Sequence, residues 1–305
     1  MEKKQNILLK KKSNRTKLCK TDKVIMTFVY VFVIFMFVLF VFPLIYVLAC
    51  SFSSGKSILL GKVFLLPNEF TFENYKYLFE DGSIWKGLRN SALYTIVGTT
   101  LSVIFTMMAG YALSQKSIAK NIVMKIFIVT LYFGGGLVPS FILVNNLGMY
   151  NRVSSLIIPS LISVWNIILV KTYFQSSLST EIIESAKIDG CNSIQLFCKV
   201  ALPLSIPIMV VIALYYGVGK WNSYFEAMIF LRNEEYYPLQ LIIKNLLITV
   251  ESSPGSSSAI DINTIYRAEA VKYCAIVISV LPMAIVFPFA QKYFKRGIML
   301  GSMKG

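Results

Sequence analysis

Six runs of mostly apolar residues, at roughly 24–50, 91–113, 122–144, 153–175, 204–230 and 270–291, constrain this chain more than anything else in it. About 20 apolar residues in helical form cross the hydrocarbon core of a bilayer. Inside that core every backbone N–H and C=O needs a partner within the protein, which leaves helices or closed barrels. The runs are too long for barrel strands, so each reads as a helix. Composition agrees: 56% hydrophobic residues over 305 positions, with a mean hydropathy of +0.65, exceed what a soluble core can hide. The expectation is an all-α, polytopic membrane protein with six transmembrane helices and both termini on one side.

The side follows from the basic residues, because Lys and Arg near span ends are retained in the cytoplasm. The N-terminal tail, the 114–125 and 171–200 loops and the C-terminal tail together carry 19 basic residues against five acidic ones. The opposite face, with its flanks, carries 11 against 10. The termini and the 171–200 loop are therefore expected in the cytoplasm, and the formal charge of +15 reads as a topology signal with some attraction to anionic lipid. A nucleic-acid partner is not indicated, since the basic tail Lys10-Lys11-Lys12 to Arg15 and Lys17 has no interleaved aromatics and abuts a span.

The first run is too long for a signal-peptide core and lacks a small-residue cleavage site, so it reads as retained, with the chain starting at its own Met1. Cysteines at 19, 50, 191, 198 and 274 imply no disulfide framework. Cys191 and Cys198 have no further ligand near them and the chain has no His, which argues against a metal site. Enzyme signatures fail as well. Gly55-Lys56-Ser57 imitates the end of a phosphate-binding loop, but Cys50 stands where that loop requires Gly and no strand precedes it. Gly134-Gly135-Gly136 sits inside an apolar run, where it reads as a kink or a close helix approach, or as unwound backbone lining a translocation path.

One loop between two runs is polar and helix-competent, which membrane connectors rarely are. In Glu181-Ile182-Ile183-Glu184-Ser185-Ala186-Lys187-Ile188-Asp189-Gly190, helical spacing puts Glu181 with Ser185 and Glu184 with Ile188 on shared faces. The small pair Ser185-Ala186 is expected to let a partner approach closely. Gly190 is expected to stop this helix in a left-handed C-cap. A second short helix should present Ile194, Phe197 and Cys198 on one side, and Pro203 should sit in the first turn of the fifth span, where its missing donor is tolerated.

These residues carry a resemblance. Glu184-Ser185-Ala186, Gly190 and Val200-Ala201-Leu202-Pro203, in this spacing, resemble the cytoplasmic motif of permease subunits of binding-protein-dependent ABC importers. Asn90-Ser91, Ile188-Asp189-Gly190, Leu202-Pro203-Leu204, Trp221-Asn222 and the ending from Gly297 through Gly301 to Lys304-Gly305 are similar to the carbohydrate branch. Gly134-Gly135-Gly136-Leu137-Val138-Pro139 resembles the polysaccharide and oligosaccharide permeases related to the maltose-type second subunit. The likeness runs from about residue 22 to the end. Ser185 departs from the motif, which usually has Ala there.

The resemblance implies a type I ABC importer permease fold and a transporter subunit rather than an enzyme. It divides the chain into a basic cytoplasmic tail 1–23, a first transmembrane helix 24–50, an extracellular segment 51–89, a transmembrane domain 90–291 containing a coupling loop 180–200, and a cytoplasmic tail 292–305. It implies a separate cytoplasmic ATPase dimer that binds ATP and Mg, with no cofactor in this chain, and a second permease subunit. It also implies an extracytoplasmic sugar-binding lipoprotein and a place in the plasma membrane. Glu181, Glu184, Ser185, Ala186, Asp189, Gly190, Leu202 and Pro203 would couple to the ATPase, with Lys304 and Gly305 reaching its dimer interface. Trp221, Asn222, Tyr224 and Glu226, with Gly134, are the candidate substrate path, Asn222 and Glu226 sharing a helical face. Trp and Tyr also mark the membrane interface, and Lys220 could snorkel to it. The segments 51–89 and 231–268, with a flexible Ser252-to-Ser258 tip, would receive the binding protein. An importer for a non-sugar solute and an ATP-independent carrier or channel are the alternatives.

Overall fold

The computed structural model describes residues 20–80, 82–115, 118–252 and 262–302, and among these every regular element is helical. The principal helices are α1 (Lys20–Ser51), α2 (Gly55–Leu59), α3 (Glu73–Glu80), α4 (Gly82–Ser114), α5 (Ile118–Tyr132) and α6 (Leu137–Asn146). They continue as α7 (Val164–Ser177), α8 (Thr180–Ile188), α9 (Ile206–Trp221), α10 (Phe225–Phe230), α11 (Leu239–Ser252) and α12 (Ile262–Ser302).

α4 is the axle, packed along its length by α9 and α7. The sequence reason is a stripe of small side chains: Ser91, Gly98, Ser102, Thr106 and Gly110 are all buried and recur at helical spacing. Small residues let apolar helices approach closely where no hydrophobic effect drives them together. A Cβ added at Gly110 would stand 2.4 Å from Val170 Cγ1, so α7 occupies the space a side chain would need. Two apolar cores result. Leu78, Ile84, Trp221, Leu239 and Cys274 fill the end of the bundle where α9 finishes, called here the far end. Met107, Val170, Phe174, Leu178 and Ile212 fill the end from which residues 178–205 emerge, the loop end.

α1, α4 and the 265–291 part of α12 are long and apolar enough to cross a bilayer unaided. Two bent pairs are apolar enough to add two crossings if each counts as one span, or else are re-entrant: 120–132 with 137–146, bent by 115°, and 193–204 with 206–221, bent by 80°. The expected span 153–175 is not one helix. A single turn, Ser154–Ile157, leads into irregular backbone at 158–163, with Pro159 in it, before α7 starts. A sixth crossing therefore uses broken backbone, tolerated at membrane depth where protein covers it. Tyr216 covers it here: its hydroxyl accepts from Ser163 N–H at 2.9 Å and bonds Thr106 Oγ1 at 2.7 Å.

The expected span 204–230 likewise divides, α9 ending at Trp221 and α10 beginning at Phe225. The last helix continues to Ser302, so no break separates a tail at 292. The segment 51–89 is ordered into α2, α3 and the head of α4. Asn74 Nδ2 donates to the carbonyls of Ser51 and Ser53, and Tyr75 O–H donates to Ser51 Oγ.

Candidate functional site

The polar loop folds as two helical pieces at the loop end. α8 runs from Thr180 to Ile188, with Glu181 in its first turn, where the helix dipole favours a carboxylate. It stops as its sequence dictates. Gly190 has φ +78°, Cys191 N–H donates to Ala186 O and Gly190 N–H donates to Lys187 O, which together form a Schellman cap. Asn192 then opens the next piece with a capping box, its side chain accepting from Gln195 N–H while Gln195 Oε1 accepts from Asn192 N–H. Residues 196–201 form a π turn and Leu202–Leu204 a single α turn before the 80° bend.

The two faces of α8 differ in role. Ile183 packs against the loop-end core, and Ala186 is buried within this chain. Of the expected small pair, Ser185 is exposed and Ala186 is covered within this chain. Glu181, Glu184, Ser185 and Asp189 are exposed, and Ile188 is 86% exposed. In the second piece Leu196 and Ala201 are buried and the Phe197 ring lies 4.9 Å from that of Tyr111, tilted by 42°. Ile194 is 74% exposed and Cys198 is also exposed, so the expected common face of Ile194, Phe197 and Cys198 does not form. Leu202 packs on the loop-end core. Pro203 lies on the separate turn before the bend, and Pro207 takes the first turn of α9 instead. Behind α8 a cavity of about 670 Å3 is lined by Tyr111, Gln115, Lys120, Gln175, Glu184 and Lys187. Lys304, Gly305, the N-terminal basic tail and residues 253–258 of the expected tip lie outside the described residues.

At the far end the candidate path residues separate. Trp221 is buried, and its indole N–H donates to Ser279 O at 2.8 Å, which removes it from any cavity and from a lipid interface. Asn222 caps α9 and Glu226 belongs to α10, so they share no continuous helix. Tyr224 faces Lys244, whose Nζ lies 5.1 Å from its ring centre. Glu226 lines a different pocket, of about 230 Å3, with Ser160, Tyr215, Tyr216, Lys220 and Ser223. Gly134 and Gly135 are exposed, and an added Cβ would meet nothing within 4 Å at either. The three glycines thus make a kink, with Gly136 at φ +82°, and no close helix approach.

Sequence reading missed several contacts made at long range. Asn90 Nδ2 donates to Glu235 O and Tyr237 O, and Ser91 Oγ accepts from Leu239 N–H at 2.8 Å. The pair thereby pins the 235–239 segment to the head of α4, and an Asn-Ser dipeptide opening an apolar run was the available clue. Gly55 meets the Tyr266 backbone so closely that an added Cβ would fall 1.8 Å from its carbonyl oxygen. That glycine docks α2 on α12, where the sequence offered only a phosphate-loop look-alike. Glu69, next to it, accepts from the hydroxyls of Ser54 and Ser57, which holds its carboxyl below the usual carboxylate range.

Comparison with known proteins adds a framework. Residues 102–300 match the family described as binding-protein-dependent transport system inner membrane component. The polygalacturonan/rhamnogalacturonan transport system permease protein YtcP of Bacillus subtilis is 34% identical over 278 residues, 91% of this chain and 97% of that protein. Protein LplC of Bacillus subtilis is 34% identical over 86% of this chain and 89% of its own length. A solved structure described as a bacterial ABC transporter involved in the import of the acidic polysaccharide alginate contains a chain that superposes with a TM-score of 0.83 at 32% identity. That alignment covers 91% of this chain and 99% of the other.

Proposed function

The chain belongs to the binding-protein-dependent transport system inner membrane components, and from that premise we propose that it is the permease subunit of an ATP-driven importer of oligosaccharides or polysaccharide fragments. The observation that carries the reading is α8. A short helix projects Glu181, Glu184, Ser185 and Ile188 from one end of the bundle while its opposite face is locked into the core. An exposed large apolar side chain among carboxylates, on a rigidly capped helix, is the anatomy of a docking knob.

Its partner is a cytoplasmic ATPase dimer that binds ATP and Mg, so the loop end and both termini face the cytoplasm. A second permease chain completes the path, and a sugar-binding lipoprotein delivers substrate at the far end. When the ATPase closes on ATP, α8 moves with it. The bundle follows, because Ile183 and Leu202 tie the loop to the core around Met107 and Phe174. Glu181, Glu184, Ser185, Asp189 and Gly190 act in this coupling, with Lys304 and Gly305 as further ATPase contacts. Asn222, Tyr224, Glu226 and Gly134 remain the proposed wall of the substrate path.

Gentle solubilisation of a tagged chain, followed by mass spectrometry, tests the reading. Recovery of an ATPase, a second permease and a binding lipoprotein is expected. Recovery of this chain alone, from a preparation that transports in liposomes without ATP, would count decisively for a carrier or channel.

A further inference from the structure

The far-end pocket holds a cation for which the docking of α8 gives no use. Lys220 lies on the last turn of α9, and its stem runs against Gly98, midway along α4: a Cβ added there would stand 2.6 Å from Lys220 Cδ. The side chain is therefore laid back along α4 and half-buried rather than extended away from the bundle. It donates to Ser160 Oγ at 3.0 Å and to Ser160 O at 3.4 Å, on the irregular backbone of the fourth crossing. Among the described residues the only ion pair within 4 Å is Lys272–Glu269, so no carboxylate makes a contact ion pair with Lys220. Glu226 shares the pocket but stands beyond that distance.

Ionisable side chains held against membrane helices are costly, and such residues mark substrate pathways. Beside it Ser160, Ser223 and the exposed Tyr215 set hydroxyls among the apolar walls of Leu156 and Gly219; the Ser160 and Ser223 hydroxyls donate to the Leu156 and Lys220 carbonyls and keep lone pairs to accept from a sugar. The volume of about 230 Å3 falls below the roughly 300–1,000 Å3 of pockets for drug-sized ligands, so it suits one ring or one edge of a ring.

We propose that this pocket is the subsite where the permease takes the carboxylate of a uronic-acid unit in its passing substrate, with Lys220 pairing the acid and the Ser160 and Ser223 hydroxyls addressing the ring. Glu226 repels the acid from the opposite rim and so fixes which edge enters. This rests on the sugar-importer reading and narrows it to acidic glycans. Two proteins similar to this chain are described by a galacturonan and by the acidic polysaccharide alginate.

The test uses the assembled transporter in proteoliposomes, with its ATPase, partner permease and binding protein. Uptake of a labelled galacturonate trimer is compared with uptake of the same trimer after its carboxyls are reduced to alcohols. Lys220→Met is expected to lower uptake of the acidic trimer at least tenfold while leaving basal ATP hydrolysis and any uptake of the reduced trimer near wild type. Lys220→Arg should restore the acidic trimer, and Glu226→Gln should raise its uptake at low concentration. Equal losses for both trimers, or no loss for either, would overturn the subsite and leave the importer reading intact. A wild-type transporter that moves only the reduced trimer would do the same. A wild-type assembly that moves no glycan at all would overturn the importer reading itself.

Discussion

Tyr216 shows how one hydroxyl holds a broken crossing together. It is buried, and its oxygen serves both Thr106 Oγ1 on α4 and the Ser163 N–H that opens α7. Tyr216→Phe keeps the ring and takes the hydroxyl from both partners. A loss of about 1–2 kcal/mol is expected, read as a lower Tm in detergent with unchanged expression. Gly190 is a second such residue. Its φ of +78° costs a side-chain-bearing residue roughly 1–2 kcal/mol, and the fixed φ of Pro cannot reach it. Nothing lies within 4 Å of an added Cβ, so the penalty of Gly190→Ala is backbone strain alone. Gly190→Pro should reach the membrane yet hydrolyse ATP without uptake, and normal uptake by a well-expressed variant would contradict the coupling role. Glu69 adds a pH dependence of known sign. Its folded pKa is lowered, chiefly by the Ser54 hydroxyl and then by Ser57. The latch is thus in place above the ordinary carboxylate pKa and is lost as pH falls through the lowered value. Amide exchange at residues 54–57 should stay constant from neutral pH down to about 5 once corrected for intrinsic rates, and quicken only in more acid solution. Gly190 was legible in the sequence because a C-cap is local chemistry. Trp221, Tyr216 and Lys220 were not, because the partners that decide their roles sit 58, 53 and 60 positions away.

The same division between local and distant causes holds for whole helices. α8 could be read from its spacing, its stop and its charges, but not which face would be buried, since that depends on Met107 and Phe174 arriving from two other helices. The exposed Ile188 of α8 and Ile194 of the piece that follows it give a direct expectation. Ile188→Asp together with Ile194→Asp should leave the chain folded and cut recovery of the ATPase at least tenfold, measured by quantitative pull-down. The glycine triplet announced a kink but not its 115° extent. The fourth run looked continuous because apolar composition hides a break; Pro159 was the local warning, and Tyr216 and Lys220 make the break tolerable.

For the whole molecule, membrane class and helix content followed from composition and run length, and orientation remains a statement about charge. The native cysteines test it without introduced ones. In a Cys19→Ser background, a membrane-impermeant maleimide should label exposed Cys198 in inside-out vesicles and not in intact cells, while buried Cys50 and Cys274 stay unlabelled in both. The reverse pattern would invert the orientation. The molecule is also uneven in how its helices are sustained. α1 is apolar on every side and most of its large side chains are exposed, its buried residues Ala49 and Cys50 coming only near its end. α7, by contrast, has 14 residues, carries Lys171 and buries Asn166, Val170 and Phe174 against its neighbours. On insertion scales the first partitions into lipid unaided, whereas the second, 14 residues long and with Asn166 on its buried side, is too short to span the bilayer alone. During synthesis, then, α1 can leave the translocon as soon as it emerges, but α7 has to wait beside α4 until the ribosome has delivered α9. The folding of this protein is thereby tied to the order and pace of its own translation.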